Sequence, residues 1–312
     1  MDRLLEATAR AERDHFWFRG FRRFVTPLLR QATEGRSNVR ILDCGCGTGH
    51  NLTMLRRFGR AAGIDITWTG LAYARSRGER QIARASATRL PFRDHDFDLV
   101  TAFDVLYALD DEMERDALNE MYRVLRPGGQ IIINVAALKT LTGNHSVLGR
   151  ELRRYQRSEL RDHLTRAGFK VRRITYTNFT LLPLVAAVRF SQRVIGYRES
   201  DSDIAVPPAP VNAALSAVLA IEAAALRVID LPLGSSLLAL AVKPGPATGA
   251  SHRCQPPGTA TPEQPPGTAT RDSHPGQPPG PASWVTRLAA QLDVPLFNGH
   301  GVYPQRQVTA IR

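Results

Sequence analysis

The sequence has few cysteines, almost no lysine and no long hydrophobic run. Three cysteines in 312 residues, two of them one residue apart, cannot form a disulfide framework. There is no stretch of about 18 uncharged apolar residues, so no transmembrane helix is predicted. Residues 1–20 alternate charged and apolar side chains and lack the apolar core of a signal peptide. We therefore expect a cytoplasmic protein.

Positive charge is abundant and comes almost entirely from arginine. The formal net charge is +12, and lysine occurs only at positions 139, 170 and 243. Part of the excess lies in residues 149–173, which could form a solvated helix face, a patch for an anionic substrate or a membrane-surface patch. No motif of the nucleic-acid-binding families accompanies it, so we do not expect a nucleic-acid partner. Peripheral membrane contact stays open.

Predicted strands and helices alternate along most of the chain. The alternation predicts a doubly wound α/β fold with a largely parallel sheet. Ser158 is expected to cap the helix over 157–169, and Gly168 to end it. The predicted helices cover residues 3–31, 49–59, 70–78, 110–129 and 157–169, and the strands cover 38–45, 60–67, 97–106, 130–137, 170–179 and 234–244.

Two segments depart from this alternation. An apolar, mostly helical insertion runs from Leu181 to about Ile229 and could pack as core or wall a substrate pocket. From Pro244 onward the chain is rich in proline, glycine and threonine, and QPPGTAT occurs at 255–261 and again at 264–270. Such a composition cannot bury a core, so we expect an extended or disordered tail.

The sequence ILDCGCGTGH, residues 41–50, joins a predicted strand to a predicted helix. Its glycines at 45, 47 and 49 have the spacing G-x-G-x-G, whereas dinucleotide-binding loops require G-x-G-x-x-G. Asp43 at the strand end would repel a pyrophosphate but hold an ammonium group. Asp65, about 20 residues further on at the end of the next strand, is placed to bind ribose hydroxyls. The pattern favours S-adenosylmethionine (SAM) over NAD.

The same loop contains Cys44 and Cys46. A structural zinc site needs four ligands, and no second cysteine pair or nearby His-x-x-x-His supplies the rest. We therefore expect no metal, and interpret the cysteines as small residues in a crowded loop.

The loop resembles motif I of the class I SAM-dependent methyltransferases. LPFRDHDFDLVTAFDVLYAL and LNEMYRVLRPGGQIIINV resemble later segments of their small-molecule branch, and the likeness extends over about residues 10–243. ERDHFWFRGFRRFV and HSVLGRELRRYQRSELRDHLTRAGF resemble a bacterial subgroup. The resemblance implies a seven-stranded, mostly parallel Rossmann-like sheet with an N-terminal helical lid (1–36), a methyltransferase domain (37–243) with an acceptor-covering insertion (180–230), and a tail (244–312).

The resemblance also implies the cofactor contacts. Asp43 and the backbone of the glycine loop would hold the methionyl portion, Asp65 the ribose, and Ile66 the adenine. Asp104 and Val105 would border the sulfonium. The implied cofactor-binding residues are Asp43, Gly45, Gly47, Gly49, Asp65, Ile66, Ser86, Ala87, Asp104 and Val105.

This chain departs from the family in two places. The family often has an aspartate before Ala87 that reaches the adenine amino group, whereas this chain has Ser86. Many relatives carry Glu-His after the Asp-Val-Leu of the third predicted strand, whereas this chain has Tyr107 and Ala108. A mechanism that uses that histidine as base is excluded here. Candidate bases for a hydroxyl acceptor are instead His145 and Tyr107, with Tyr155 and His15 as further options.

The aromatic and basic cluster at 16–19 has two interpretations. It could pack into the core, or it could form a lid in which Trp17 shields the cofactor and Arg19 meets its carboxylate. We expect transfer to a small or lipid-like apolar acceptor. Alternatives are a SAM-binding regulatory protein without turnover, an NAD-linked oxidoreductase and a nucleic-acid methyltransferase.

Overall fold

The computed structural model describes residues 2–138, 152–184 and 206–245. Seven strands in this part of the chain form one sheet in the order β3-β2-β1-β4-β5-β7-β6. The strands are β1 (Arg40–Cys44), β2 (Arg60–Asp65), β3 (Ile82–Arg84), β4 (Phe97–Phe103), β5 (Leu125–Ala136), β6 (Lys170–Thr177) and β7 (Ser236–Val242). The predicted Rossmann-like α/β sheet is confirmed.

The sheet is parallel from β3 through β5 and antiparallel beyond it. β7 lies between β5 and β6 and runs antiparallel to both. β1 and β4 are buried almost throughout, as expected of strands covered on both faces. The short edge strand β3 was not predicted, because three residues carry too little pattern.

Helices flank the sheet. They are α1 (Asp2–Ala11), α2 (Phe16–Thr33), α3 (His50–Leu55), α4 (Trp68–Ser76), α5 (Asp111–Val124), α6 (Arg157–Arg166) and α7 (Ala209–Ala225). α7 belongs to the predicted insertion, of which residues 185–205 lie outside the described part of the chain. The same is true of the predicted tail beyond residue 245.

The single helix predicted over 3–31 is wrong, because the chain breaks between α1 and α2. The side chain of His15 caps α2 by accepting a hydrogen bond of 3.2 Å from the Trp17 N–H. The Phe16 N–H donates to Oδ1 of Asn212 in α7 at 2.8 Å. These side chains satisfy N–H groups that a continuous helix would have bonded internally.

Two predicted boundaries are also corrected. α5 ends at Val124 and β5 begins before Pro127, since Gly128 and Gly129 exchange backbone hydrogen bonds with Lys243. The cap of α6 is Gln156, which forms a capping box with Glu159, and Ser158 lies inside the helix. The predicted end of α6 at Gly168 is confirmed by its φ of 91°.

Candidate functional site

The glycine loop between β1 and α3 turns sharply beneath the end of β4. Gly45 has a φ of 78°, and a Cβ built there would overlap Cγ2 of Val105. Only glycine fits both the left-handed backbone and this contact. The close approach brings the loop beside Asp104 and Val105, two residues that were predicted to share its site.

The loop is held to the end of β2 by its own N–H groups. Gly45 and Cys46 both donate to the Ile64 carbonyl at 2.8 Å. Gly47 donates to Oδ2 of Asp65, also at 2.8 Å. The N–H groups of Gly45 and Gly47 are thus used within the protein, and any contact of these residues with a cationic ligand falls to their carbonyl oxygens.

Asp43 is a buried carboxyl with one free oxygen. Its Oδ1 accepts a hydrogen bond of 2.6 Å from the Thr101 hydroxyl, its partner across the β1–β4 pair. Its Oδ2 is buried and has no hydrogen-bond partner in the protein. Burial raises the pKa of Asp43 to about 7, although the Thr101 hydrogen bond opposes the shift. An unpartnered buried oxygen here suits a cationic donor.

Asp65 lies at the carboxyl end of β2, oriented by its neighbours. Its Oδ1 accepts from the N–H and hydroxyl of Thr67, at 2.8 and 2.5 Å. The next side chain, Ile66, is 59% exposed and offers an apolar surface beside the carboxylate. A Cβ at Gly47 would lie 4.0 Å from Asp65 Oδ2, so the glycine keeps that approach open.

Ser86 and Ala87 follow β3 and are half-buried near this edge. The Ala85 N–H donates to the Asp65 carbonyl at 3.1 Å, which joins the two strand ends. The Ser86 hydroxyl lies 2.8 Å from the Thr88 hydroxyl and also accepts from the Thr88 N–H. Ser86 therefore stabilises a local turn, and its contact with the adenine stays a prediction.

Asp104 directly follows β4 and has a φ of 60°, a conformation that is rare outside glycine. Its N–H donates to the Asn134 carbonyl, and its Oδ1 accepts from Asn134 Nδ2, each at 2.9 Å. These bonds hold the exposed Asp104 carboxylate at the carboxyl ends of β4 and β5. Ligands bind at that edge in open α/β sheets.

The N-terminal helices are fastened onto the loop by residues that we did not predict. Glu12 is buried and accepts from the Thr48 hydroxyl at 2.7 and 2.8 Å and from Arg77. Leu5 of α1 lies over Gly47, 3.8 Å from a Cβ built there. A glutamate on an amphipathic helix gives no sequence signal for this role.

Two of the residues predicted for the lid lie in α2. Trp17 is half-buried at the start of α2. Arg19 is exposed and lines a cavity between α2, α3 and α7 that includes none of Asp43, the loop glycines or Asp65. Contact of Trp17 and Arg19 with the cofactor stays a prediction.

The candidate bases are also distinguished by their surroundings. Tyr155 is fully buried, and burial raises its pKa, so it suits packing better than proton transfer. His15 caps α2, and burial lowers its pKa. Tyr107 is half-buried against the core, and its carbonyl accepts from the Leu152 N–H at 2.8 Å. His145 lies outside the described residues.

The cofactor fit follows from these contacts. Oδ2 of Asp43 can accept a hydrogen bond from an ammonium group, and the Asp65 carboxylate can accept from the two hydroxyls of a ribose. Ile66 provides an apolar surface for an adenine ring. Within the described ranges, no group of three or more His, Cys, Asp or Glu side chains could hold a metal ion. Together with the sheet order, this arrangement defines a class I SAM-binding fold.

Comparison with known proteins agrees with a SAM-binding methyltransferase fold. Residues 42–133 match the family model described as "Methyltransferase domain". An O-methyltransferase from Aspergillus nomiae is 32% identical, over 46% of this chain and 71% of its own. A demethylmenaquinone methyltransferase from Lactiplantibacillus plantarum is 36% identical over 31% of this chain and 44% of its own. The chain belongs to the class I SAM-dependent methyltransferases, whose cofactor is S-adenosylmethionine.

The similarity covers only part of the length of many relatives. The chain spans less than two thirds of several curated relatives, which also include probable tRNA methyltransferases. A Haloferax volcanii methyltransferase solved with its Trm112 activator has a TM-score of 0.51 at 19% identity, covering 77% of this chain and 97% of its own. That similarity supports the fold alone. No helix among the described residues is long and apolar enough to cross a membrane.

Proposed function

We propose that this protein transfers the methyl group of S-adenosylmethionine to a small or lipid-like apolar acceptor without using a metal ion. The observation that carries the proposal is the buried Oδ2 of Asp43, which has no hydrogen-bond partner while Oδ1 accepts from Thr101. Asp43 would bind the ammonium group of the cofactor and Asp65 its ribose hydroxyls. Ile66 would pack against the adenine.

The cofactor supplies an electrophilic methyl group on a sulfonium. The protein must then mainly align the acceptor, and near-attack positioning can contribute about 7–11 kcal/mol. Asp104, fixed by Asn134 at the ends of β4 and β5, is the polar group we assign to the acceptor side.

The relative named for demethylmenaquinone supports the lipid-like part of the proposal. A hydroxyl acceptor would need a general base within hydrogen-bond reach, and His145 and Tyr107 stay our proposed candidates. An acceptor that is already anionic, or a free amine, would need neither.

The test is formation of S-adenosylhomocysteine (SAH) from SAM with a panel of apolar phenols, quinols and amines. We expect turnover on at least one class and its loss in Asp65→Ala. His145→Ala and Tyr107→Phe should slow a phenol and leave an amine unaffected. SAH binding without turnover on any acceptor would instead support a non-catalytic SAM-binding protein.

A further inference from the structure

A cavity of about 610 Å³ lies between α2, α3 and α7, and its lining includes none of Asp43, the loop glycines or Asp65. Its walls carry a concentration of positive charge and no carboxylate among the described residues. His50, the first residue of α3, also lines it. The cavity arginines are Arg19, Arg22, Arg23, Arg30, Arg57 and Arg227.

Backbone carbonyls fix two of these arginines. Arg22 donates to the Glu12 and Arg13 carbonyls at 2.9 and 3.2 Å, and Arg23 donates to the Ser216 carbonyl at 2.7 Å. Burial is the main cause that lowers the pKa of Arg22, and the charges of Arg19 and Arg23 lower it further, against Glu12 and Asp14. The guanidinium group of Arg22 is thus close enough to those of Arg19 and Arg23 to be repelled by them.

The other four cavity arginines make no ion pair within the described residues. Some arginines elsewhere in the described part of the fold do pair with carboxylates, as Arg123 does with Glu120 and Asp94. A group of guanidinium forks without acidic partners matches a phosphate, whose oxygens accept paired N–H donors. The positive charge of the cavity is therefore complementary to a phosphate-bearing ligand.

Apolar surface adjoins the arginines. Ala220, Ala223, Ala224, Pro27 and Met54 form part of the cavity lining. On α7 and just beyond it, Ile221 is 71% exposed and Val228, next to Arg227, is 84% exposed. Apart from the imidazole of His50, no aromatic side chain among the described residues lines the cavity, so it lacks the series of stacking platforms typical of single-stranded nucleic-acid sites.

We infer that this arginine cavity binds the phosphate of an anionic phospholipid at a membrane surface, with Ile221 and Val228 meeting the apolar part of the interface. Basic side chains attract anionic lipids, and exposed apolar side chains on a helix add area in the interface. The inference does not depend on the identity of the methyl acceptor.

The experiment is co-sedimentation of the full chain with vesicles of phosphatidylcholine, with and without phosphatidylglycerol. Binding is expected only with the anionic lipid and should weaken as salt is raised. Because each basic residue near such a surface is worth a factor of about 5, Arg30→Gln/Arg57→Gln/Arg227→Gln should weaken binding by about a hundredfold. Ile221→Ser should weaken it by a smaller factor.

The matched control is Arg161→Gln/Arg166→Gln/Arg172→Gln, which removes the same charge from exposed positions outside the cavity. It should bind vesicles nearly as wild type does. Unchanged melting temperature and SAH affinity check that each variant is folded. Equal loss in both triple variants, or loss in the control alone, would overturn the inference.

Two further binding experiments distinguish a phospholipid from other phosphate-bearing ligands. Soluble glycerol phosphate is titrated calorimetrically, and a bulk tRNA preparation is tested by filter binding. Weak or no binding of glycerol phosphate alongside tight vesicle binding supports the lipid. If either soluble phosphate or tRNA binds through the three cavity arginines while vesicles do not, the lipid assignment is wrong.

Discussion

The hydroxyl of Thr101 donates a 2.6 Å hydrogen bond to Oδ1 of Asp43, while Oδ2 of the same carboxyl is buried without a partner. The pair joins two adjacent parallel strands, β1 and β4, at the point where the glycine loop begins. Thr101 fixes the orientation of the carboxyl and leaves one oxygen for a ligand. A cationic ligand would relieve the cost of that unsatisfied oxygen.

Cofactor affinity should therefore depend on pH through Asp43. Burial raises the pKa of Asp43 to about 7, so below that pH the free protein carries a protonated carboxyl. Pairing with an ammonium group then releases a proton, and affinity falls as the pH falls. We expect SAH to bind roughly fivefold more weakly at about pH 6 than at pH 7, as measured by calorimetry in two buffers of different ionisation enthalpy.

The control for this prediction is Asp43→Asn, which keeps the shape and removes the charge. Its affinity for SAH should be at least about tenfold lower at pH 7 and nearly constant over the same range. An equally steep pH dependence in Asp43→Asn would show that another group titrates.

Asp65→Ala should weaken SAH binding by about tenfold to a hundredfold, since hydrogen bonds to a charged group contribute about 1.5–3 kcal/mol. Thr67→Ala removes the hydroxyl that orients Asp65 and should change the affinity much less. Calorimetric titration of both variants makes the comparison. Wild-type affinity in Asp65→Ala would place the ribose site elsewhere.

Gly45→Ala should destabilise the fold by about 3 kcal/mol, because a left-handed backbone and an overlap with Val105 are both penalised. Gly35 has a similar φ of 70° and nothing within 4 Å of a built Cβ. Gly35→Ala should therefore lose only about 1 kcal/mol. Urea unfolding of the two variants separates backbone strain from overlap, and equal losses would contradict the Val105 contact.

Glu12→Gln should loosen the N-terminal helices from the loop. The substitution leaves Arg77 without its charged partner and weakens the bond to Thr48, at a cost of about 1–3 kcal/mol. Amide exchange should rise in α1, and SAH affinity should fall with it. Glu34→Gln, at an exposed position after α2, is the matched control and should change neither.

Removal of residues 246–312 should leave melting temperature and SAH affinity unchanged, since their composition does not favour a packed core. Loss of folding or binding on truncation would show that the tail contributes to the domain.

The sequence predicted the site best where the position of a residue in a strand or a turn explains its type. The G-x-G-x-G spacing and the acids at 43 and 65 predicted which side chains meet at the sheet edge. The Gly47 N–H bond to Asp65 confirms that these two segments lie together. The pairing of Thr101 with Asp43 could also have been predicted, because the two residues are neighbours once β1 and β4 are aligned in parallel register.

Long-range partnerships could not be predicted in this way. Glu12 meets Thr48 and Arg77 across 36 and 65 residues, and Asn212 caps α2 across 196 residues. Their partners are set by helix packing, which no local pattern encodes. The arginine cavity likewise needs three helices to assemble before its charge is concentrated.

The most direct test of the account is a calorimetric titration of the purified protein with SAH and, in parallel, with NAD. We predict micromolar, one-to-one binding of SAH and no binding of NAD. Binding of NAD but not SAH would contradict the assignment of Asp43 and the glycine loop to a cationic cofactor.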